Sequence, residues 1–477
     1  MTAYDAGREV QLTVDVLVIG AGATGLSATY ACVNSGVSVA VVERTATVGG
    51  LAKAAKVAGH NIDPGGHRLL SATEEQRRTW LDLSERLGGI PICDVNRRSG
   101  ILRDGYVVTY PVDWRRFRQS APWHVRAQGA ASLLMRKLTF PASGPDTSLA
   151  EWVRNRYGPY FAGRFMDPHA RKVFGVDPRK IPATWAHNRI ASPPMLSVLA
   201  AALPNWRPMS EPDWAIDEFW YPVGGVGVLW TRLSEVIGER ARWYFESHVK
   251  SVSRQPGGGF RVVLSTPAGK IAVSCRRVIS TGRADDLASS IGLNALSATI
   301  SSKSRRRDLV VGVARVHRMP RAWHGYQWLY THDTGVIASR FQNYGEWQWL
   351  GCPDGIIGLE YTIDSGDAFD VQENLTNDTS ILLSGDACEF VGSATVTDAY
   401  SNFDATRPEL DQLDEALREF GGGIISTGRQ GAGIYVNLDQ ALALGTRAAQ
   451  MPADYSGIVG RGEYTKYQER VSRAKAS

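Results

Sequence analysis

Residues 14–25, VDVLVIGAGATG, set an apolar run directly before three glycines, Gly20, Gly22 and Gly25. Eighteen residues past Gly25, Glu43 follows a second apolar run in VSVAVVER. The spacing predicts a strand, a glycine turn, a helix and a second strand closed by an acid, which is the layout of a dinucleotide site. Gly20 permits the tight turn, Gly22 lets backbone approach a pyrophosphate, and Gly25 lets the helix pack close to the sheet. The helix N-terminus adds unpaired N–H groups and the positive end of its dipole. Glu43 stands where a carboxylate can accept hydrogen bonds from ribose hydroxyls.

Further glycines extend the pattern. RTATVGGLAKAA carries the pair Gly49 and Gly50, and HNIDPGGHRLL carries Gly65, Gly66 and His67. Near the C-terminus, IISTGRQGAGIYVNLDQALALG reads as a strand, a turn at Gly428 and Arg429, and a helix beginning around Asn437 to Asp439. Together these segments resemble the large FAD family that includes amine oxidases and protoporphyrinogen oxidase. The pattern GR-x-G-x3-Y-x-N-x-D-x-A, the GGH turn and DPRKIPATWAHNRI narrow the resemblance to UDP-galactopyranose mutase and its relatives.

The resemblance implies an α/β chain: a Rossmann-like FAD-binding domain with an interleaved mixed-sheet substrate domain and a helical insertion. It divides the sequence into FAD-binding parts at 13–100, 220–285 and 401–465. A hairpin and helical cap at 101–219, a substrate-domain sheet at 286–400 and a tail at 466–477 complete it. The cofactor implied is FAD, in reduced form for a mutase. Its expected contacts are Gly20, Gly22, Gly25, Glu43, Arg44, Gly49, Gly50, Leu51, Gly65, Gly66, His67, Val249, Gly428, Arg429, Asn437, Leu438 and Asp439. Catalytic roles are expected at His67, Arg340, Arg429 and Tyr435.

Each of these has a plainer alternative. His67 either touches the flavin or is a structural histidine. Arg429 suits a pyrophosphate or substrate phosphate through its planar fork. Arg340 is either a diphosphate ligand or a surface residue. For Asp439, helix capping is favoured over catalysis. Two departures weaken the substrate assignment. Leu70 stands where the mutases usually carry a second histidine, and no arginine follows Arg189 until Arg207, where the bacterial enzymes place one on a mobile loop.

Local patterning fills in the rest. A helix is expected over 73–88, a hairpin over 101–110 turning at Asp104-Gly105, and a mainly helical section over 112–203 with Asp146 or Thr147 capping one helix. A glycine turn and amphipathic helix follow Trp220, then three strands. The span 309–400 reads as alternating strands rich in aromatics: Trp323, Tyr326, Trp328, Tyr330, Tyr344, Trp347, Trp349 and Tyr361. Trp347 and Trp349 are expected on one strand face, some of these rings lining a cavity.

Composition excludes several classes. The 477 residues are 43% hydrophobic and 21% charged, as in ordinary globular enzymes, with net charge +5 and pI near 8.9. That mild excess of positive charge suits an anionic small-molecule substrate such as a nucleotide sugar. Short clusters such as Arg97–Arg98, Arg115–Arg116 and Arg305 to Arg307 lack interleaved aromatics, so no nucleic-acid module is expected. The five scattered cysteines form no CxxC pair, which argues against zinc or structural disulfides. No membrane span or signal peptide is visible, and the cytoplasm is expected. Three functions remain open: a redox-neutral sugar mutase working through reduced flavin N5, an FAD-dependent amine or alcohol oxidase or desaturase, and a flavin-binding protein without catalysis.

Overall fold

The computed structural model describes residues 10–110, 119–139, 146–181, 183, 218–385, 388–401 and 406–462. The opening segment forms β1 (Val10–Ile19), α1 (Ala23–Asn34) and β2 (Val39–Val42). β1 lies at the centre of a largely parallel sheet, between β2 and the strand Gly269–Ser280. Ala241–Tyr244 extends the sheet beyond β2, again parallel. On the other side, Phe260–Thr266 and His248–Arg254 add antiparallel strands. Ile424–Ser426 also pairs in parallel with Gly269–Ser280, bringing the C-terminal segment to the same sheet edge. Both faces of this sheet are covered, so its strands read as unbroken apolar runs: Leu17, Val18, Ala40 and Val41 have no exposed surface.

The helix Leu438–Gln450 closes over α1. A Cβ on Gly445 would lie 2.1 Å from the Thr24 carbonyl oxygen, and Ser27 Oγ donates to Leu442 O at 2.8 Å. Only a bare backbone allows that approach.

The second sheet runs Cys388–Tyr400, Arg307–Val316, Ile356–Asp364, Arg340–Asn343, Trp328–Thr331, Ser99–Arg103 and Tyr106–Tyr110. The expected hairpin forms, with Asp104 and Gly105 both at positive φ, and joins this sheet by parallel pairing with Trp328–Thr331. The helices Trp123–Thr139, Leu149–Phe161 and Asp167–Phe174 occupy the expected helical section; Trp152, Tyr157, Phe161 and Phe165 share a core with Ile101 and Val108 of the hairpin. Ser148, rather than Asp146 or Thr147, caps Leu149–Phe161, because Ser148 and Glu151 form a reciprocal capping box.

Three further expectations give way. Leu309 to Ala314 are buried without alternation, since the helix Val371–Leu382 packs on the strand so closely that a Cβ on Gly312 would meet Leu375 Cδ1 at 2.8 Å. That helix, capped by Asp370, lies inside the span read as strands. Trp347 and Trp349 lie on no strand: Trp347 joins two successive 3₁₀ turns, Tyr344–Glu346 and Gln348–Leu350, Trp349 sits in the second, and both are buried. Trp347 Nε1 donates to Gln327 O at 2.8 Å. Trp328, Tyr344, Trp347 and Trp349 therefore pack the interior with Phe219 and Tyr221 instead of presenting a stacking platform. The Arg189 segment, the Arg115–Arg116 pair and the tail at 466–477 lie outside the described residues. Among the described residues, no helix is long and apolar enough to cross a membrane, no group of side chains could hold a metal ion, and the five cysteines are free.

Candidate functional site

A cleft of about 700 Å³ opens at the C-terminal ends of β1, β2 and Gly269–Ser280. This is the edge at which parallel α/β sheets collect ligands. Gly20 has φ +97°, reserved for glycine, and its N–H donates to Val42 O at 2.7 Å, tying the turn to β2. A Cβ on Gly25 would lie 1.9 Å from Gly20 O, so this third glycine serves helix packing. Gly22 ends the turn as the N-cap of α1 without a side-chain cap, leaving the helix N-terminus to a ligand. Gly49 bridges Gly22 in parallel, with its N–H on Ala21 O at 2.9 Å. Two glycine turns thus form a floor of bare backbone.

Glu43 is buried and already engaged. Oε2 accepts from Ala21 N at 2.8 Å, and Oε1 accepts from Thr45 N at 2.9 Å and Thr45 Oγ1 at 2.8 Å. An ionised carboxylate has about four acceptor sites, so capacity remains for a ribose hydroxyl. Arg44 lines the cleft while pairing with Asp398 at 3.0 Å; Arg283 and Arg306 also face Asp398, at 3.5 and 3.8 Å.

Opposite the glycine floor lies the turn at Gly65, Gly66 and His67. Buried Asp63 anchors it: Oδ2 accepts from Tyr221 Oη at 2.7 Å and Val226 N at 2.9 Å, and the His67 N–H reaches Tyr221 Oη at 3.4 Å. Burial pushes the Asp63 carboxyl up to about 6, against these hydrogen bonds. His67 lines the cleft, with Nε2 buried and unpartnered. Burial, and then the nearby Arg429 and Arg340 charges, bring its imidazole down to about 4, against a hydrogen bond to Pro64 that raises it. It is neutral at pH 7.

The C-terminal segment supplies the remaining wall. Arg429 Nη2 donates to Ala399 O at 3.2 Å, and its guanidinium lies 4.5 Å from the Tyr435 ring centroid. Asn437, boxed with Gln440, caps Leu438–Gln450. Asp439 is not the cap; its Oδ2 accepts from Gln76 Nε2 at 3.2 Å. Arg340 begins its strand and pairs with buried Glu360 at 3.1 Å, its guanidinium 5.1 Å from the Tyr330 ring.

The cleft brings together Gly20, Gly22, Glu43, Arg44, Gly49, Gly50, Leu51, Gly66, His67, Val249, Arg429, Tyr435, Asn437 and Leu438. Gly25, Gly65, Gly428, Asp439 and Arg340 stand behind or beside its lining. Sequence reading passed over Lys53, Arg68, Thr281, Arg283, Asp398 and Gln430, which also line it. Only the Ser-Thr-Gly-Arg run ending Gly269–Ser280 carried a local signal, an apolar strand stopped by glycine. Thr281 Oγ1 there donates to Ile19 O at 2.9 Å, beside the Gly20 turn.

Comparison with known proteins agrees with this geometry. Residues 18–87 match the model of an NAD(P)-binding Rossmann-like domain. No curated protein matches the sequence. Among solved structures, reduced UDP-galactopyranose mutase superposes with a TM-score of 0.74 at 20% identity, over 92% of this chain and 93% of that one. A putative protoporphyrinogen oxidase from Exiguobacterium sp. 255-15 gives 0.66 at 16% identity, over 93% and 98%. Putrescine oxidase bound to putrescine gives 0.55 at 16%, over 92% and 98%. The chain shares the fold of these proteins along nearly its whole length.

Proposed function

We propose that the chain is a cytoplasmic flavoenzyme that binds FAD in the cleft and rearranges a nucleotide sugar between ring forms. The residues fit that cofactor. The glycine floor at Gly22, Gly49 and Gly50 takes a pyrophosphate at the uncapped N-terminus of α1, and Glu43 keeps acceptor capacity for ribose. Gly66 offers open space over the cleft, and His67 Nε2 awaits a partner there. When bound and reduced, FAD supplies a nucleophilic N5 for redox-neutral sugar chemistry.

One observation carries the substrate reading. Beside His67 the cleft wall is cationic and aromatic, with Arg429 against Tyr435, while Arg340, against Tyr330, stands behind that lining. Arg340 and Arg429 would hold a diphosphate and steady it as a leaving group, Tyr435 would pack on the sugar side, and neutral His67 would orient the cofactor edge. Such a wall repels a protonated amine, which argues against an amine oxidase.

A second reading, an oxidoreductase taking hydride from an anionic or neutral substrate, draws support from Leu70. This apolar residue lines the cleft where the mutases usually carry a histidine. An anaerobic assay separates the two. The dithionite-reduced protein is given UDP-, GDP- and TDP-sugars, and products are followed by mass spectrometry and NMR. An isomer of unchanged mass, formed only after reduction, supports the mutase; bleaching of the oxidised protein by a substrate that loses two hydrogens supports the oxidoreductase.

A further inference from the structure

We propose that the outer face of the helix Trp123–Thr139 is a docking surface that lays the protein on an anionic phospholipid bilayer. The inference goes beyond the reaction proposed above and does not depend on it.

The helix is fixed along its inner side. Val125 and Leu133 are buried, and Leu149–Phe161 packs so closely that a Cβ on Gly158 would meet Leu133 N at 2.9 Å. Ser132 Oγ accepts from Tyr160 N at 3.0 Å, and Arg136 Nη2 donates to Asn155 Oδ1. The outer side is apolar nonetheless. Trp123, Ala127, Ala131, Leu134 and Leu138 recur every three or four residues, which sets them in one stripe with Met135 at its edge. All six are exposed. Nine large apolar side chains are exposed among the described residues, and four of them, Trp123, Leu134, Met135 and Leu138, belong to this helix. Such residues scattered singly need no explanation, whereas a stripe about 22 Å long marks a contact surface.

Charge and shape select the occupant. From Trp114 to Pro145 the sequence holds six basic residues and no acid, in a chain whose 48 acids nearly equal its 53 bases. A second copy docked about a two-fold axis sets that basic stretch against itself, which like charges oppose. Trp123 and Leu138 are 73% and 75% exposed, so the stripe stands out as a ridge and lines no groove for a peptide. An apolar ridge beside basic residues suits the headgroup layer of an anionic bilayer. The apolar side chains enter the acyl boundary, and Arg126, one turn after Trp123 and half-buried, faces the phosphates. At 17 residues, with charges among them, the helix lies along the bilayer and does not cross it.

The test is flotation of the purified full-length protein with phosphatidylcholine vesicles, plain or containing about a third phosphatidylglycerol. Wild type should float with the anionic vesicles about tenfold more than with the neutral ones at low salt, and high salt should erase the preference. The double variant Leu134→Gln/Leu138→Gln should lower partition into anionic vesicles about tenfold, with melting temperature and flavin content unchanged. Arg126→Gln should lower it severalfold. If the double variant does not fold, Leu138→Gln alone decides, at the most exposed of these positions. Absence of wild type from the vesicle fraction overturns the proposal, as does flotation that the glutamine variants leave unchanged. Wild-type dimers that dissociate in the double variant, without flotation, make the face a contact between copies and overturn it too.

Discussion

Gly22 and Gly50, from turns almost thirty residues apart, lie back to back: a Cβ on Gly50 would stand 3.1 Å from Gly22 Cα. Gly50 also has φ +57°. The constraint falls mainly on Gly50, since a Cβ on Gly22 would meet Gly50 Cα at 3.8 Å, an ordinary contact.

Gly50→Ala should consequently purify with little or no flavin. The added methyl must push the two turns apart or lie in the cleft, and its positive φ is strained for any residue with a Cβ. Absorbance near 450 nm relative to 280 nm reads the outcome; wild-type flavin content would sink the cradle.

Gly66→Val separates binding from folding more cleanly. A Cβ at Gly66 would meet only Trp347 Cη2, at 4.0 Å, and the residue has no positive φ. The melting temperature of the apo-protein should stay near wild type while flavin binding drops sharply. Full flavin occupancy would show that the flavin ring lies elsewhere.

Gly25→Ala should fail in the opposite way. Its Cβ would overlap Gly20 O at 1.9 Å, so α1 must shift off the sheet. Overpacking of this severity costs about 3 kcal/mol. Denaturant unfolding of the apo-protein should show that loss, whatever becomes of the cofactor.

The contrast among these glycines also shows what the sequence made legible. Residues 14–43 specified their strand, turn, helix and strand because every constraint there is local: apolar runs of strand length, glycines at fixed offsets, an acid after the second strand. The cap of Leu438–Gln450 was misassigned to Asp439, although Gln440 stands three residues after Asn437 and completes its capping box. Trp347 and Trp349 misled because two consecutive 3₁₀ turns can imitate a two-residue period. Arg307–Val316 lost its alternation because a helix nearly sixty residues downstream covers its other face. Asp398 reaches the cleft only through tertiary convergence of distant segments, for which one sequence carries no periodic trace.

Glu360 gives a prediction about charge. It is buried and accepts from both Arg340 and Gln342. Glu360→Gln leaves the Arg340 guanidinium inside without its carboxylate, which should cost about 3 kcal/mol of stability. The same change frees Arg340 for an exogenous anion, so pyrophosphate should raise the melting temperature of the variant more than that of wild type. An equal response in both proteins would place Arg340 out of a ligand's reach.

The last prediction concerns acid. His169 and His332 lie together under the second sheet, ring centroids 5.8 Å apart, and both His332 ring nitrogens are buried without partners. Burial, and next the charges of Arg340 and Lys172, bring His169 down to about 4; burial likewise lowers His332 well below the ordinary imidazole range. His67 is likewise lowered to about 4, mainly by burial. Between pH 6.5 and about 4 the unfolded chain binds protons that these three native imidazoles refuse, so stability falls as pH falls. Asp63 acts in the opposite sense: with its native carboxyl raised to about 6, the folded state holds a proton that the unfolded state lacks between pH 6 and 3.8. Burial raises the carboxyls of Asp167, Asp286, Glu360 and Asp378 in the same sense as Asp63, so the imidazole share is read from a variant and not from the net slope, each group contributing at most about 1.4 kcal/mol per pH unit. Denaturant unfolding of wild-type and variant apo-protein at pH 7 and pH 5 isolates the imidazole share of the loss on acidification. His332→Phe, which removes one imidazole and two unpartnered nitrogens, should reduce that loss; an unchanged pH dependence would mean that His332 already finds a partner when protonated.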